Sequence, residues 1–237
     1  MKNLTVLLFI SFCVQSYLVG QQHMPTDELR ACIERYYGTN DLLVNGRTYL
    51  PVHTKASGHP YFETADFVKG TLFVKAHAFK NVDLKFNVEK KQLILRHQLT
   101  NGIPVQVIVT PALVDSFQIE SHLFVNYRHV SELNEGTGFL KKIYAGNNGF
   151  YRKDIKLFQP VFSRIHPNGK YTDPEISYVL VKGGELYDIH NRKDFLNCFP
   201  GQDRTIKQFM KQQSVRFKKA TDDQLYNLLK FCDEITR

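Results

Sequence analysis

Two histidines, His53 and His59, lie six residues apart in a segment that is rich in Gly and Pro, and Tyr49 lies close by in the chain. A loop imidazole can hold a metal ion or act as a general base near neutral pH. If a carboxylate such as Glu63 or Asp66 converged on these side chains, they could support hydrolysis. Two imidazoles do not complete a metal site, and no Cys, Asp or Glu lies at a sequence spacing from them that is typical of metal ligands. Solvated or structural roles are therefore the simpler interpretation of both histidines.

The same segment holds the residues that we expect in a binding site, if the protein has one. It lacks the regular apolar period that burial would require, and loops on a rigid β-scaffold often carry binding residues. A connector that contains Gly and Pro needs no function, so a purely structural role stays open. We assign no catalytic residue, no metal ligand and no cofactor. The candidate binding residues are Arg47, Tyr49, His53, Lys55, His59 and Tyr61.

The sequence lacks the motifs that announce the commonest enzymes and metal sites. It has no HExxH, GxSxG, GxxxxGK[ST] or CxxC motif and no EF-hand loop. A site built from residues far apart in the chain, such as two carboxylates, stays open. The other histidines show no spacing that indicates a site. His97 lies on the apolar face of Leu93 and Leu95, so we interpret it as a core residue. A non-catalytic protein is the better expectation.

The first twenty residues have the layout of a secretory signal peptide. Lys2 supplies a positive start, and residues 6–14 form an apolar run that is too short to span a bilayer. Ser16 and Gly20 are small residues ahead of the polar Gln21, so we expect cleavage between Gly20 and Gln21. The protein is then exported, to the periplasm or the cell exterior, and does not span a membrane.

Cleavage would leave 30 basic and 23 acidic side chains, a formal balance of +7. A basic surface favours anionic partners, and we consider a protein, a glycan or an anionic envelope component. Nucleic acid is not expected, because the Lys and Arg residues are scattered and export argues against it. The three remaining cysteines, Cys32, Cys198 and Cys232, are not a disulfide framework, although one bridge among them is permitted.

Apolar spacing predicts a mainly β protein with helices at both ends. From residue 67 to residue 189 the apolar period is two, and turn residues such as Asn101-Gly102 separate short runs. Short strands without helical crossovers predict an antiparallel β-meander that curls into a roll, barrel or sandwich. The strands expected late in this block are 139–145, 150–158, 176–182 and 185–189. A single alternating run is expected over 71–78, and a short hairpin is expected around Asn45-Gly46.

Helical spacing is expected on either side of the β-block. Residues 25–37 form a short helix with Cys32 on its apolar stripe, and residues 191–237 form two or three helices. Thr221 and Gln224 form a capping box that opens the last helix. We place Cys32 and Cys232 in the core as unreactive thiols. The expected organisation is a signal peptide (1–20), an N-terminal helix and irregular segment (21–66), an antiparallel β-unit (67–190) and a helical segment packed on it (191–237).

Several segments carry a resemblance that covers most of the mature chain: LVNGRTYLPVHTKASGHPYFE, KNVDLKFNVEKKQLIL, DSFQI, GFLKKIYAGNNGFY and IKQFMKQQSVRFKKATDDQLYNLLKFCDE. In the order of these pieces the chain resembles a group of secreted β-rich proteins of the Bacteroidota. The resemblance implies export and a β-rich fold. It brings no known activity, and therefore no functional residues.

The first functional hypothesis is an exported, non-catalytic binding or cell-envelope-associated protein. The first alternative is a barrel-type carrier, which requires an enclosed cavity between the inward faces of strands 71–125 for a small apolar ligand. The second alternative is a hydrolase whose active site lies near His53 and His59 and has no recognisable sequence motif. This alternative requires those side chains to converge with a carboxylate.

Overall fold

The computed structural model describes residues 47–75, 77–98, 102–130 and 137–236. The expected signal peptide, the helix expected over 25–37, Cys32 and the turn expected at Asn45-Gly46 all lie outside the described residues. None of the helices in the described part combines the length and the apolar character that a membrane span needs.

The described chain holds thirteen strands followed by three α-helices. The strands are β1 (Arg47–Thr48), β2 (Val68–Val74), β3 (His77–Asn87), β4 (Gln92–Gln98), β5 (Pro104–Ile108), β6 (Val114–Ile119), β7 (His122–Asn126), β8 (Phe139–Ala145), β9 (Gly149–Ile155), β10 (Phe158–Gln159), β11 (Lys170–Tyr171), β12 (Glu175–Lys182) and β13 (Glu185–Ile189). The helices are α1 (Arg192–Asn197), α2 (Asp203–Gln212) and α3 (Asp222–Ile235).

Eleven strands form one antiparallel sheet, in the order β1-β5-β4-β3-β2-β6-β7-β8-β9-β12-β13. The predicted class, mainly β with a C-terminal helical segment, is confirmed. Among the described strands the sheet does not close into a barrel, because β1 and β13 end the order without pairing with each other. β10 and β11 form a separate two-stranded ribbon. The strands expected at 139–145 and 185–189 have those bounds in the structure.

The alternating run expected over residues 71–78 is wrong as a single strand. β2 ends at Val74, and a turn through Lys75, whose φ is 46°, leads into β3. Ala78 belongs to β3 and is exposed, whereas Val74 is buried. Apolar and polar residues alternate in the same way in one continuous strand and across a tight turn between two strands. The alternation over residues 71–78 therefore did not reveal this hairpin.

A β-bulge changes the inward face within β3. Phe79 is buried at an odd position, but Leu84 and Phe86 are buried at even positions. The register with β2 shifts at Asn81, whose φ is 59°, so this residue is an extra member of its strand. A bulge of this kind bends the strand and increases its twist, which helps β2 to β7 to curl around one core.

Two large apolar cores support the fold. The first lies among β2 to β7, where Phe117 stacks on Phe124 with 4.7 Å between ring centroids. The second joins the three helices to β8, β9, β12 and β13, and Phe150 and Phe195 are fully buried there. Each large side chain removed from water contributes about 1.5–3 kcal/mol, so the two cores stabilise the two halves of the sheet.

The C-terminal helices follow their sequence signals closely. Asn191 accepts hydrogen bonds from two backbone N–H groups at the start of α1, and Thr221 and Gln224 form the expected capping box of α3. Cys232 is buried as expected, on a stripe of α3 that also holds Leu225, Leu228 and Leu229. Burial raises the pKa of the Cys232 thiol to about 12, which fits its expected role as an unreactive core residue.

Candidate functional site

Two of the expected binding residues, Tyr49 and Tyr61, are buried. Their hydroxyl oxygens lie 2.8 Å apart, and their rings pack with Ile94 in a small cluster. Because neighbouring strand residues face opposite ways, Ile94 places this cluster on the face of β4 opposite Leu93. Burial and the hydrogen bond with Tyr49 raise the pKa of Tyr61. Both phenols therefore anchor the irregular segment to the sheet.

The two histidines of this segment contact different partners. The ring of His53 stacks on Phe158, with centroids 3.6 Å apart and planes 7° apart. His59 Nδ1 accepts a hydrogen bond from the backbone N–H of Tyr61 at 3.3 Å. Burial lowers the pKa of His59, and the charge of Lys156 lowers it further. Lys156 Nζ donates to the backbone carbonyl of Tyr61 at 2.7 Å, which holds this part of the chain in place.

The carboxylates proposed for a hydrolytic site have other partners. Glu63 Oε1 lies 3.3 Å from His122 Nε2. Asp66 lies within electrostatic range of Lys85 and moderates the lowering of the pKa of Lys85 by burial. The remaining two candidate binding residues, Arg47 in β1 and Lys55, are exposed.

The irregular segment lies against a second loop, which joins the strands of the small ribbon. The backbone N–H of Ser57 donates to the Gly169 carbonyl at 3.0 Å, and the N–H of Tyr171 donates to the Ser57 carbonyl at 2.8 Å. We refer to residues 49–59 and 157–170 together as the two-loop surface. These backbone bonds hold its two segments in a fixed relation.

A Ser–His contact inside the two-loop surface has a structural explanation. Ser57 Oγ lies 2.8 Å from His166 Nδ1, a distance that a nucleophile and its base would also show. The His166 carbonyl accepts hydrogen bonds from the N–H groups of Ser163 and Gly169, so the ring belongs to a tight turn. The contact adds a side-chain link between the two loops.

The two-loop surface exposes large apolar side chains. Phe162 is 67% exposed and Ile165 is 81% exposed, and Leu50 on the other loop is 77% exposed. Within the described residues, six of the nine exposed large apolar side chains belong to this surface: Leu50, Val52, Leu157, Val161, Phe162 and Ile165. Single exposed apolar residues are ordinary, but a concentration of them on adjoining loops indicates an interaction surface.

The charge of this surface has one sign. Its two segments contain no Asp or Glu, but they contain Lys55, Arg164 and Lys170. Next to them in the chain, Lys156 lies within electrostatic range of Asp154 and Asp173. A carboxylate does lie beneath the surface, since Glu89 Oε1 accepts the backbone N–H of Phe158 at 3.3 Å. The exposed side of the two loops is thus apolar and basic.

Two buried oxygen atoms lie under the two-loop surface without a hydrogen-bond partner in the described structure, Glu89 Oε2 and the Tyr171 hydroxyl. Burial raises the pKa of Tyr171 to about 12, and the nearby Glu89 charge adds to the effect. A buried polar atom without a partner costs free energy. Hydrogen bonding of buried polar atoms is therefore less complete under the two-loop surface than in the rest of the described fold.

A second group of chemical interest lies beside β7. Among the described residues, Glu63, Glu120 and His122 bring their donor atoms within 4.8 Å of one another, and these three could hold a divalent cation. Both carboxylates are exposed, and the Glu63–His122 contact is already an ion pair when the imidazole is protonated. That pair accounts for the arrangement. From the sequence, the turn at Glu120-Ser121 indicates only that Glu120 and His122 lie close together, and nothing indicates the contact with Glu63.

An open cleft of about 410 Å³ adjoins this group, between β8 and the first turn of α3. Its walls include His122, Lys142 and Tyr226, together with the pair Lys141 and Asp222. Lys141 is buried, and its Nζ lies 2.6 Å from an Asp222 carboxylate oxygen. This ion pair joins α3 to β8.

Sequence reasoning found one half of the two-loop surface and missed the other. The irregular segment, whose residues 47–63 include the candidate binding residues, supplies Leu50 and Val52. The expected strand 150–158 is wrong at its end, because β9 stops at Ile155. The following stretch, VFSRI, has three large apolar residues without a period, between two prolines. That combination is the signal that could have indicated an exposed loop.

Comparison of the chain with protein-family models, with curated protein sequences and with solved structures finds no match in any of the three. The functional argument therefore depends on the geometry of this chain alone.

Proposed function

We propose that the protein is an exported, non-catalytic binding protein of the cell envelope, and that the two-loop surface is its binding surface. One observation carries the proposal. Six exposed apolar side chains lie on two loops that are fixed to each other and that contain no acidic residue. Exposure of these side chains costs free energy in water, and a partner that covers them recovers it.

The arrangement of the histidines favours this proposal over the hydrolase alternative. The His53 ring stacks on Phe158 and the His59 ring is held at Tyr61, so each has a packing role. Glu63, one of the expected carboxylates, is engaged with His122. A hydrolytic site needs a base and its partner to converge on one position, and these contacts point in different directions.

The packing of the sheet favours an outer binding surface over the carrier alternative. The inward faces of strands 71–125 are occupied by a tightly packed aromatic core. Phe86 lies 5.3 Å from Phe117 and 5.2 Å from Phe124, measured between ring centroids. An apolar ligand would have to displace these rings.

Fractionation of a bacterial host that expresses the full chain tests the proposal. We expect the wild-type protein in the envelope fraction, with a mass that corresponds to loss of residues 1–20. The double variant Phe162→Ser/Ile165→Ser should move to the soluble exported fraction, because about 1.5–3 kcal/mol of apolar burial per side chain is lost.

Ile103→Ser is the matched control, because Ile103 is an exposed apolar residue on a different loop. Circular dichroism of each variant establishes that the fold is retained. If a folded Phe162→Ser/Ile165→Ser protein stays in the envelope fraction with the wild type, the two-loop surface is not the binding surface.

A further inference from the structure

We infer that the two-loop surface docks on the face of an anionic lipid bilayer, with Val161, Phe162 and Ile165 entering the boundary between head groups and acyl chains. This inference depends on the proposed function and names the partner of the same surface. The protein would lie on the membrane and not cross it.

The first argument is the kind of apolar side chain that is exposed. Residues 161–165 are all exposed, and they place two branched aliphatic side chains and one phenylalanine ring on a single loop. Aromatic residues, Met and Arg are enriched in protein interfaces, where a polar rim surrounds the apolar core. The branched aliphatic side chains Val161 and Ile165 are not part of that enrichment, and exposed apolar side chains of this kind enter the boundary between head groups and acyl chains.

The second argument is the position of these residues in the fold. The loop belongs to the β10–β11 ribbon, which is separate from the main sheet. Hydrogen bonds of Ser57 with Gly169 and Tyr171 fix its base. The apolar residues are therefore held in the exposed position by a fixed base, as an inserting loop requires.

The third argument is charge. Lys55 and Arg164 are exposed among the apolar residues, and the two segments contain no carboxylate that would repel an anionic head group. Arg164 lies between Phe162 and Ile165 in the chain, so its aliphatic stem can lie along the apolar side chains while its guanidinium reaches a lipid phosphate. Each basic side chain near an anionic surface strengthens binding roughly fivefold.

Sedimentation with protein-free vesicles tests the inference. The probes are vesicles of phosphatidylcholine with about 30% phosphatidylglycerol and vesicles of phosphatidylcholine alone, at two salt concentrations. We expect the purified mature chain to bind the anionic vesicles at least about tenfold more tightly than the neutral ones, with weaker binding at high salt.

Two variants separate the apolar contribution from the charge contribution. Phe162→Ser/Ile165→Ser should lower the vesicle affinity by more than about tenfold. Lys55→Gln/Arg164→Gln should lower it by about 25-fold and flatten its salt dependence. The matched control Lys211→Gln/Lys230→Gln removes two exposed charges from α2 and α3, away from the loops, and should bind nearly as the wild type does.

The outcomes distinguish this inference from the proposed function. Binding to native envelope that is lost in Phe162→Ser/Ile165→Ser, without any binding to protein-free vesicles, would mean a protein or glycan partner and would overturn the lipid inference alone. Equal vesicle binding by the wild type and both loop variants would also overturn it. Envelope association that survives Phe162→Ser/Ile165→Ser would overturn the proposed function itself.

Discussion

The helical half of the molecule, which consists of the three helices and strands β8, β9, β12 and β13, differs from the two-loop surface in how its polar and apolar groups are covered. In the helical half a buried carboxylate, Asp233, accepts hydrogen bonds from the Tyr144 hydroxyl and the Asn147 N–H, each at 2.8 Å, and from the Asn148 side chain. The buried Asp233 carboxylate is thus paired, and the apolar stripe of α3 is covered. At the two-loop surface Phe162 and its neighbours are exposed, while the Tyr171 hydroxyl beneath them is buried without a partner.

This difference indicates that stability and binding are located in different parts of the fold. The packed helices and their capping contacts hold the sheet in shape, and the ribbon presents side chains that folding leaves uncovered. Substitutions in the helical half should therefore change the free energy of unfolding, and substitutions in the loops should change binding. Among such substitutions, we expect the decrease in the free energy of unfolding to be largest in the core of the helical half and negligible on the two-loop surface.

The largest loss should follow Leu228→Ala. Leu228 is fully buried between α3 and the sheet, and truncation removes apolar contacts and leaves a cavity. We expect a decrease of about 3 kcal/mol in the free energy of unfolding, measured by urea denaturation. Lys230→Ala, two residues along on the exposed face of α3, should change it by less than about 0.5 kcal/mol. Similar losses in both variants would mean that α3 is not packed as described.

Asp233→Ala should have the next largest effect. It removes the carboxylate that accepts hydrogen bonds from the Tyr144 hydroxyl, the Asn147 N–H and the Asn148 side chain, at a cost of about 2–3 kcal/mol in the free energy of unfolding. The exposed Asp223 on the same helix is the matched control, and Asp223→Ala should cost less than about 1 kcal/mol. An Asp233→Ala substitution that leaves the free energy of unfolding unchanged would mean that these hydrogen bonds do not stabilise the helical half.

Thr221→Ala should have an intermediate effect. The Thr221 hydroxyl accepts the N–H of Gln224 and caps α3, and its loss should cost about 1 kcal/mol. Thr221→Ser keeps the acceptor and should retain most of the stability. If the Ala and Ser variants unfold at the same urea concentration, the capping box does not contribute.

Phe162→Ser/Ile165→Ser should leave stability nearly unchanged, within about 0.5 kcal/mol, because both side chains are already exposed. Calorimetry or urea denaturation of the purified variant measures this directly. A loss comparable to that of Leu228→Ala would mean that the loop packs against the fold in solution, and the comparison between the two regions would fail.

Regular elements were predictable from the sequence because burial imposes a period. The capping box of α3, the buried position of Cys232 and the bounds of β13 each follow from local spacing. The bulge at Asn81 was not predictable, since one extra residue leaves no mark beyond a change of parity.

The candidate site was predictable only in part, because its two segments come from distant parts of the chain. The unusual composition of residues 47–63 was visible in the sequence, but the contact of Ser57 with Gly169 depends on the pairing of the whole sheet. The group of Glu63, Glu120 and His122 shows the same limit, since Glu63 meets the other two only after folding.

The most direct test of the binding surface uses the absence of tryptophan from the chain. Phe162→Trp places one fluorescent indole at the tip of the two-loop surface, and Tyr226→Trp places a matched indole on the exposed side of α3. On addition of anionic vesicles or native envelope, the emission of the Trp at position 162 should shift to shorter wavelength and become protected from acrylamide quenching, while that of the α3 control stays unchanged. Unchanged emission from the position 162 indole with both preparations, or equal shifts at both positions, would contradict the assignment of the two-loop surface as the place where this protein binds.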